Sequence, residues 1–333
     1  MSRRNPWYDA SKAHHTPDGF CNPEGELRQP GDLQRWRRER KAQHLPPPPA
    51  NGYADFSARW YQPADLSGSD DRIWWLGHAA LLLRLKQRYI LIDPALSPRA
   101  SPLPFAGPER QIPSPLDVTQ LPRLDYVLIS HNHYDHLDRV TIKRLLRCFP
   151  EVQIRVPLGL GAWCRKRGAR NVTEMDWWES ANNQELSITA VPARHWSMRT
   201  LWDRNRSLWC GWVIRCGTLN FWFSGDSGYS DNLLQITQRL GPFNLAALPV
   251  GAYAPEWFMR SQHMNPQQAV TLWQHAGHPL TIPIHWGVYE LADEALDAPP
   301  AELMRALVAA ETPLARRFSP WRVGESRTLS DVV

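Results

Sequence analysis

At 333 residues and 43% hydrophobic content, the chain can bury one large core or two small ones. Its net charge of +5 admits an anionic partner, whether lipid headgroup, nucleic acid or phosphorylated metabolite, without choosing among them. Five scattered cysteines with no C-x-x-C pair argue against a disulfide framework and a zinc knuckle, and no 18-residue apolar run or apolar leader follows the N-terminus, so a cytoplasmic protein, at most peripheral at the membrane's inner face, is expected.

Residues 1–71 are expected to form an arm that wraps the rest rather than folding alone. His14 and His15 have no carboxylate neighbours and read as packed or solvated side chains. Residues 33–41 (LQRWRRERK) read as a short basic helix, either a solvated face or one drawn to an anionic membrane surface or nucleic acid. Pro46 to Pro49 force an extended segment.

Residues 72–333 read as one catalytic domain. Strands are expected over 73–76, 81–85 and 89–92, with His78 at a structural bend. The Pro-rich stretch 98–115 is too long and apolar for a passive connector and reads as a lid or pocket wall. A strand over 126–129 leads into Ser130-His131-Asn132-His133-Tyr134-Asp135-His136-Leu137-Asp138, after which a helix capped by Asp138 runs to 149. Further strands are expected at 153–156, 172–175, 185–191, 208–215, 219–223, 245–250 and 282–284. Helices are expected at 160–167, at 231–240 with a stop at Gly241, from Asn265-Pro266, and at 301–310 behind Pro299-Pro300. Most of the 17 tryptophans belong in the core or the site wall.

The segment 131–136 puts three imidazoles and a carboxylate within six residues on a strand-to-helix loop, where an α/β sheet carries its chemistry. Neutral imidazole nitrogen and carboxylate oxygen suit borderline divalent metals, zinc first. In an extended segment His131 and His133 share a side, and a turn brings Asp135 and His136 round, which fits two adjacent metal positions better than one.

This H-x-H-x-D-H spacing resembles the metallo-β-lactamase superfamily. The later ligands are then expected singly at strand ends: His195, Asp226 and His285, each after an apolar or β-branched run. From about 74 to 326 the chain further resembles the N-acyl-phosphatidylethanolamine-hydrolysing phospholipases D and their bacterial relatives. That resemblance is carried by WLGHA (75–79), SPRASP (97–102), SHNHYDHLD (130–138), VPLGL (156–160), DWW (176–178), GDSGY (225–229), GPFNLAALPVGAY (241–253), EWFM (256–259) and PIHWG (283–287).

The resemblance implies an αββα sandwich, two mixed sheets flanked by helices, holding two zinc ions. His131, His133 and His195 would hold one ion, and Asp135, His136 and His285 the other, with Asp226 bridging. The implied reaction is phosphodiester hydrolysis by a hydroxide between the metals, releasing phosphatidic acid and an N-acylethanolamine from a membrane-associated dimer. Asp135 and Asp226 would take part in catalysis. His263, placed near the pocket by the resemblance, is either the proton donor to the leaving alkoxide or a packing residue. The aromatic loop 251–259 reads as an acyl-chain wall or an ordinary packed loop. A hydrolase of a soluble phosphodiester or lactone would use the same metals. A nucleic-acid partner is not expected, because the basic segment lacks aromatic interleaving and no known module surrounds it.

Overall fold

The computed structural model describes residues 4–25, 28–183 and 185–331. Its architecture follows from strands that are apolar on both faces. In Arg72–Gly77, Ala80–Leu85 and Arg88–Ile92, alternate side chains enter different cores. Ile73, Trp75, Leu81, Leu83, Ile90 and Ile92 face the second sheet. Trp74, Leu76, Leu82 and Leu91 face the opposite way, against Ile142 and Leu145 of helix Arg139–Cys148.

These strands sit in a seven-stranded sheet ordered Ser326–Thr328, Arg72–Gly77, Ala80–Leu85, Arg88–Ile92, Tyr126–Leu128, Gln153–Pro157, Asn171–Met175. It is antiparallel up to Arg88–Ile92 and parallel beyond. The second sheet has six strands: Leu280–Ile284, Leu245–Pro249, Leu219–Phe223, Gly211–Cys216, Leu186–Val191 and Ser180–Asn182. Helices Asp231–Leu240, Pro266–His275 and Ala298–Ala309 contribute Leu233, Ile236, Leu272, Trp273, Leu303 and Leu307 to the core built on it. The result is the expected helix–sheet–sheet–helix sandwich of mixed sheets.

Several details differ from expectation. Helix Gly52–Trp60, the edge strands Ser180–Asn182 and Ser326–Thr328, and the single turn Glu256–Met259 are additional elements. Residues 208–210 precede their strand instead of opening it. The last helix begins at Ala298 and takes Pro299 and Pro300 into its first turn, where a missing N–H costs nothing. Gly241 does end its helix, but at φ −70, not in the left-handed region. The site needs glycine because a Cβ there would lie 2.4 Å from the Thr237 carbonyl oxygen. All five cysteines are free thiols.

Residues 12–15 meet the rest of the chain at one buried carboxylate, Asp176. His14 Nε2 lies 2.7 Å from Asp176 Oδ1, and Lys12 Nζ and His15 Nε2 lie 2.6 and 3.0 Å from Oδ2. His14 also stacks on Trp177, with 4.1 Å between ring centroids. Burial pushes Asp176 upward, yet His14, Lys12 and the Trp177 amide outweigh it and hold its carboxyl below the usual range. A carboxyl depressed in the folded state stabilises above its unfolded pKa and loses that contribution as pH falls through its folded value. Asp176→Asn should therefore destabilise the protein by about 3 kcal/mol at neutral pH. The loss should shrink below about pH 4, as unfolding curves at several pH values would show. Equal destabilisation at all pH values would contradict this charge assignment.

Candidate metal centre

Every residue of the H-x-H-x-D-H loop follows strand Tyr126–Leu128 of the seven-stranded sheet, and it meets the residues that follow Leu186–Val191, Leu219–Phe223 and Leu280–Ile284 of the six-stranded sheet. His195, Asp226 and His285 stand just beyond those three ends. The structure brings all seven expected ligands together. His133 Nδ1 lies 2.8 Å from His131 Nε2 and 3.1 Å from His195 Nε2. Beside this trio, Asp135 Oδ2 lies 3.4 Å from His136 Nε2 and 3.5 Å from His285 Nε2. Asp226 Oδ2 reaches both groups, at 3.1 and 2.9 Å from His136 and His285 and at 3.8 and 3.7 Å from His131 and His195.

The rings are aimed from behind. His136 Nδ1–H donates to Asp93 Oδ2 at 2.7 Å, and His195 Nδ1–H donates to the Gln262 carbonyl at 3.1 Å. Each contact fixes the tautomer and turns the other ring nitrogen inward. Asp93 also accepts the Ser130 amide at 2.7 Å, tying strand Arg88–Ile92 to the start of the loop. Arg199 donates to the Asn132 and Leu137 carbonyls, both at 2.7 Å, and braces the loop from outside.

Electrostatics separate the two groups. Burial drives His131 and His195 well below the ordinary histidine value and His133 to about 4, so these rings are neutral and keep a lone pair. Burial also opposes charge on His136 and His285, but Asp226 and Asp135 override it. They hold His136 well above its usual value and His285 at about 9. The carboxylate group thus calls for positive charge and the trio for a Lewis acid. His136 Nε2, His285 Nε2 and Asp226 Oδ1 are buried without a hydrogen-bond partner. Unsatisfied donor atoms converging in a buried polar pocket, with a mixed nitrogen and oxygen set, fit borderline divalent cations.

His263 stacks on His285 at 4.9 Å and meets the His195 ring edge at 5.1 Å; its Nδ1 is buried and unpartnered. The acyl-wall reading of 251–259 fails at Phe258, which is 2% exposed. Trp36 of the arm stacks on it at 4.9 Å and the Arg28 guanidinium lies 3.8 Å from its centroid. The basic segment is partly turned inward too, with Arg40 donating to the Glu290 and Leu291 carbonyls. The Pro-rich loop does form a wall: with Tyr134, Asp138 and helix Arg139–Cys148 it lines a cavity of about 700 Å³.

Sequence reasoning missed Asp93, Arg199 and Asn22, whose Nδ2 donates to the His195 carbonyl at 2.9 Å. It set His78 aside as a bend. His78 does have a left-handed φ of 54, and its Nε2 also lies 2.8 Å from Asp135 Oδ2. For Asp93, the signal was a carboxylate directly after a buried strand.

The profile of the beta-lactamase superfamily domain matches residues 88–286. N-acyl-phosphatidylethanolamine-hydrolyzing phospholipase D 1 of Caenorhabditis elegans is 39% identical over 250 residues, spanning 72% of this chain and 70% of that one. The mitochondrial N-acyl-phosphatidylethanolamine-hydrolyzing phospholipase D of Saccharomyces cerevisiae is 34% identical over 236 residues, spanning 69% of this chain and half of that one. A possible metal-dependent hydrolase from Veillonella parvula shares the fold with a TM-score of 0.63 at 16% identity, covering 78% of this chain and all of that one. With its sandwich of mixed sheets and its buried His/Asp cluster, the chain belongs to the metallo-β-lactamase superfamily and is a metal-dependent hydrolase related to the phospholipases D that hydrolyse N-acyl-phosphatidylethanolamine.

Proposed function

We propose that the enzyme is a dinuclear phosphodiesterase of phospholipase D type, acting on N-acyl-phosphatidylethanolamine-like lipids. The observation that carries the dinuclear reading is Asp226 Oδ2, which stands within 4 Å of ring nitrogens from both ligand groups. The named relatives support the substrate class. His131, His133 and His195 would hold one ion and Asp135, His136 and His285 the other, with Asp226 shared. When bound, two divalent ions, zinc by donor type, supply Lewis acidity and a nucleophile from water at neutral pH.

The chain's own residues do the rest. Asp135 and Asp226 concentrate negative charge that keeps both cations in place. His78 restrains Asp135 Oδ2 at 2.8 Å. His263 Nδ1, buried and unpartnered, is the group available to hydrogen-bond a phosphoryl or leaving-group oxygen. Burial holds its ring at about 3, so it acts as a neutral imidazole.

Metal analysis of the purified enzyme should give two divalent ions per chain. Among N-acyl-phosphatidylethanolamine, an aryl phosphodiester and a lactone, kcat/KM should be highest for the lipid, with phosphatidic acid and the N-acylethanolamine as products. A preference for the lactone, or for the aryl ester by about ten-fold or more in kcat/KM, would replace this reading with that of a soluble-substrate hydrolase.

A further inference from the structure

Apolar side chains ring the cavity beside the ligand loop. Leu201 and Trp202 are each 84% exposed, Phe105 77%, Val140 57% and Leu103 47%. Leu103 and Val140 line the cavity, and the other three are neighbours in sequence of lining residues. Exposed apolar groups clustered around one opening mark an interaction surface, whereas the same residues scattered singly would need no explanation.

The charge around them is mostly cationic, with Arg99, Arg139, Lys143, Arg144, Arg147, Arg167 and Arg199 lining the cavity against Asp138 and Asp203. Helix Arg139–Cys148 carries Arg139, Lys143, Arg144 and Arg147 and no acid. Arg139, Lys143 and Arg147 recur every four residues and form one exposed stripe, a spacing at which like charges destabilise a helix. Arg144 pairs with Asp117. Among the described residues no carboxylate pairs with the other three. An unneutralised cationic stripe beside projecting Trp, Leu and Phe suits the polar–apolar boundary of a bilayer, where Trp sits at headgroup level and Lys and Arg meet anionic lipids.

We propose that this face docks on an anionic phospholipid bilayer, with Leu201, Trp202 and Phe105 entering the interface and the Arg139–Lys143–Arg147 stripe meeting the headgroups. The proposal deepens the lipid reading above and rests on it for the direction from which substrate arrives. Docking would set the bilayer against the ligand loop, since Tyr134 and Asp138 of that loop line the same cavity. A second copy of the chain fits this face less well: a two-fold interface through it would bring two cationic stripes together. The face is also distinct from the basic helix Asp32–Ala42, whose Arg35 pairs with Glu39 and whose Arg40 faces the domain.

The test is co-sedimentation with phosphatidylcholine vesicles, with and without phosphatidylserine. Three variants of the full chain would be compared: Leu201→Ser with Trp202→Ser; Arg139→Gln with Lys143→Gln and Arg147→Gln; and Arg37→Gln with Arg38→Gln and Lys41→Gln. The stripe variant should bind anionic vesicles about 100-fold more weakly, about five-fold per cation, with little change on neutral vesicles. The Leu201/Trp202 variant should lose about ten-fold on both. The third variant should bind like the unmodified protein. None of the three should lower Tm, and all should keep their turnover of a dissolved short-chain phosphodiester.

The proposal is overturned if the unmodified protein ignores anionic vesicles, or if only the Arg37/Arg38/Lys41 variant loses binding. It is also overturned if the Leu201/Trp202 variant dissociates a dimer while vesicle binding persists. Hydrolysis of the same lipid in mixed micelles separates the two ideas. Vesicle binding without lipid cleavage sinks the substrate reading and leaves the face standing; cleavage in micelles without vesicle binding does the reverse.

Discussion

Asp226→Asn should bind fewer than two metals per chain and lower kcat/KM by at least about 100-fold, while the fold survives. Among the described residues, this carboxylate is the one side chain whose single oxygen approaches all of His131, His136, His195 and His285. An amide keeps the size of the group but removes the negative charge that both cations would share. The strand it follows, Leu219–Phe223, is buried through Phe221, Trp222 and Phe223, all 0% exposed, so the sheet does not depend on the substituted residue. Circular dichroism should therefore be native while metal analysis and turnover fall together. Two metals retained with full activity would refute the shared-ligand assignment.

Asp93→Asn should cost both stability and metal. Asp93 is completely buried and accepts hydrogen bonds from the Ser130 amide and from His136 Nδ1–H, each at 2.7 Å. Asparagine has one acceptor oxygen where the carboxylate offers two, so a donor NH2 must face one of those N–H groups. Breaking a buried charged contact in this way costs about 3 kcal/mol. Losing the partner that orients a ligating histidine lowers metal affinity by about 10–100-fold. Titration with a competing chelator should show the weaker ion, and thermal unfolding of the metal-free protein should show the stability loss separately. Unchanged chelator resistance would mean that His136 is held by its ring packing alone.

What could be read from the sequence tracks how local the physics is. The loop 131–136 announces itself because its donors are packed within six residues. His195, Asp226 and His285 are single residues at the ends of apolar runs, visible only against the pattern of a known family. Strands such as Ala80–Leu85 are legible because two-sided burial makes an unbroken apolar run. Asn22 and Arg199 were not legible, and Asp93 showed only as a carboxylate after a buried strand, not as the partner of Ser130 and His136. Asp93 acts on Ser130 across 37 residues and Asn22 on His195 across 173, and nothing in their immediate neighbourhood records the partner. Phe258 misled for the same reason. An aromatic loop looks like a pocket wall until an aromatic residue from the distant arm, Trp36, is found stacked on it.

The stretch that matches the superfamily, 88–286, contains all seven expected ligands, yet it is a poor guide to where this protein could be cut. Trimming to it would remove Arg72–Gly77, Ala80–Leu85 and Ser326–Thr328, three adjacent strands of the seven-stranded sheet. Arg88–Ile92 would become a naked margin, offering unpaired amides and carbonyls beside Ile90 and Ile92 to the same margin of other molecules. It would also discard His78 and Asn22, the outside contacts of Asp135 and His195. A minimal fragment designed from the match should thus go to inclusion bodies. A useful crystallisation or display version has to carry both flanks of the chain.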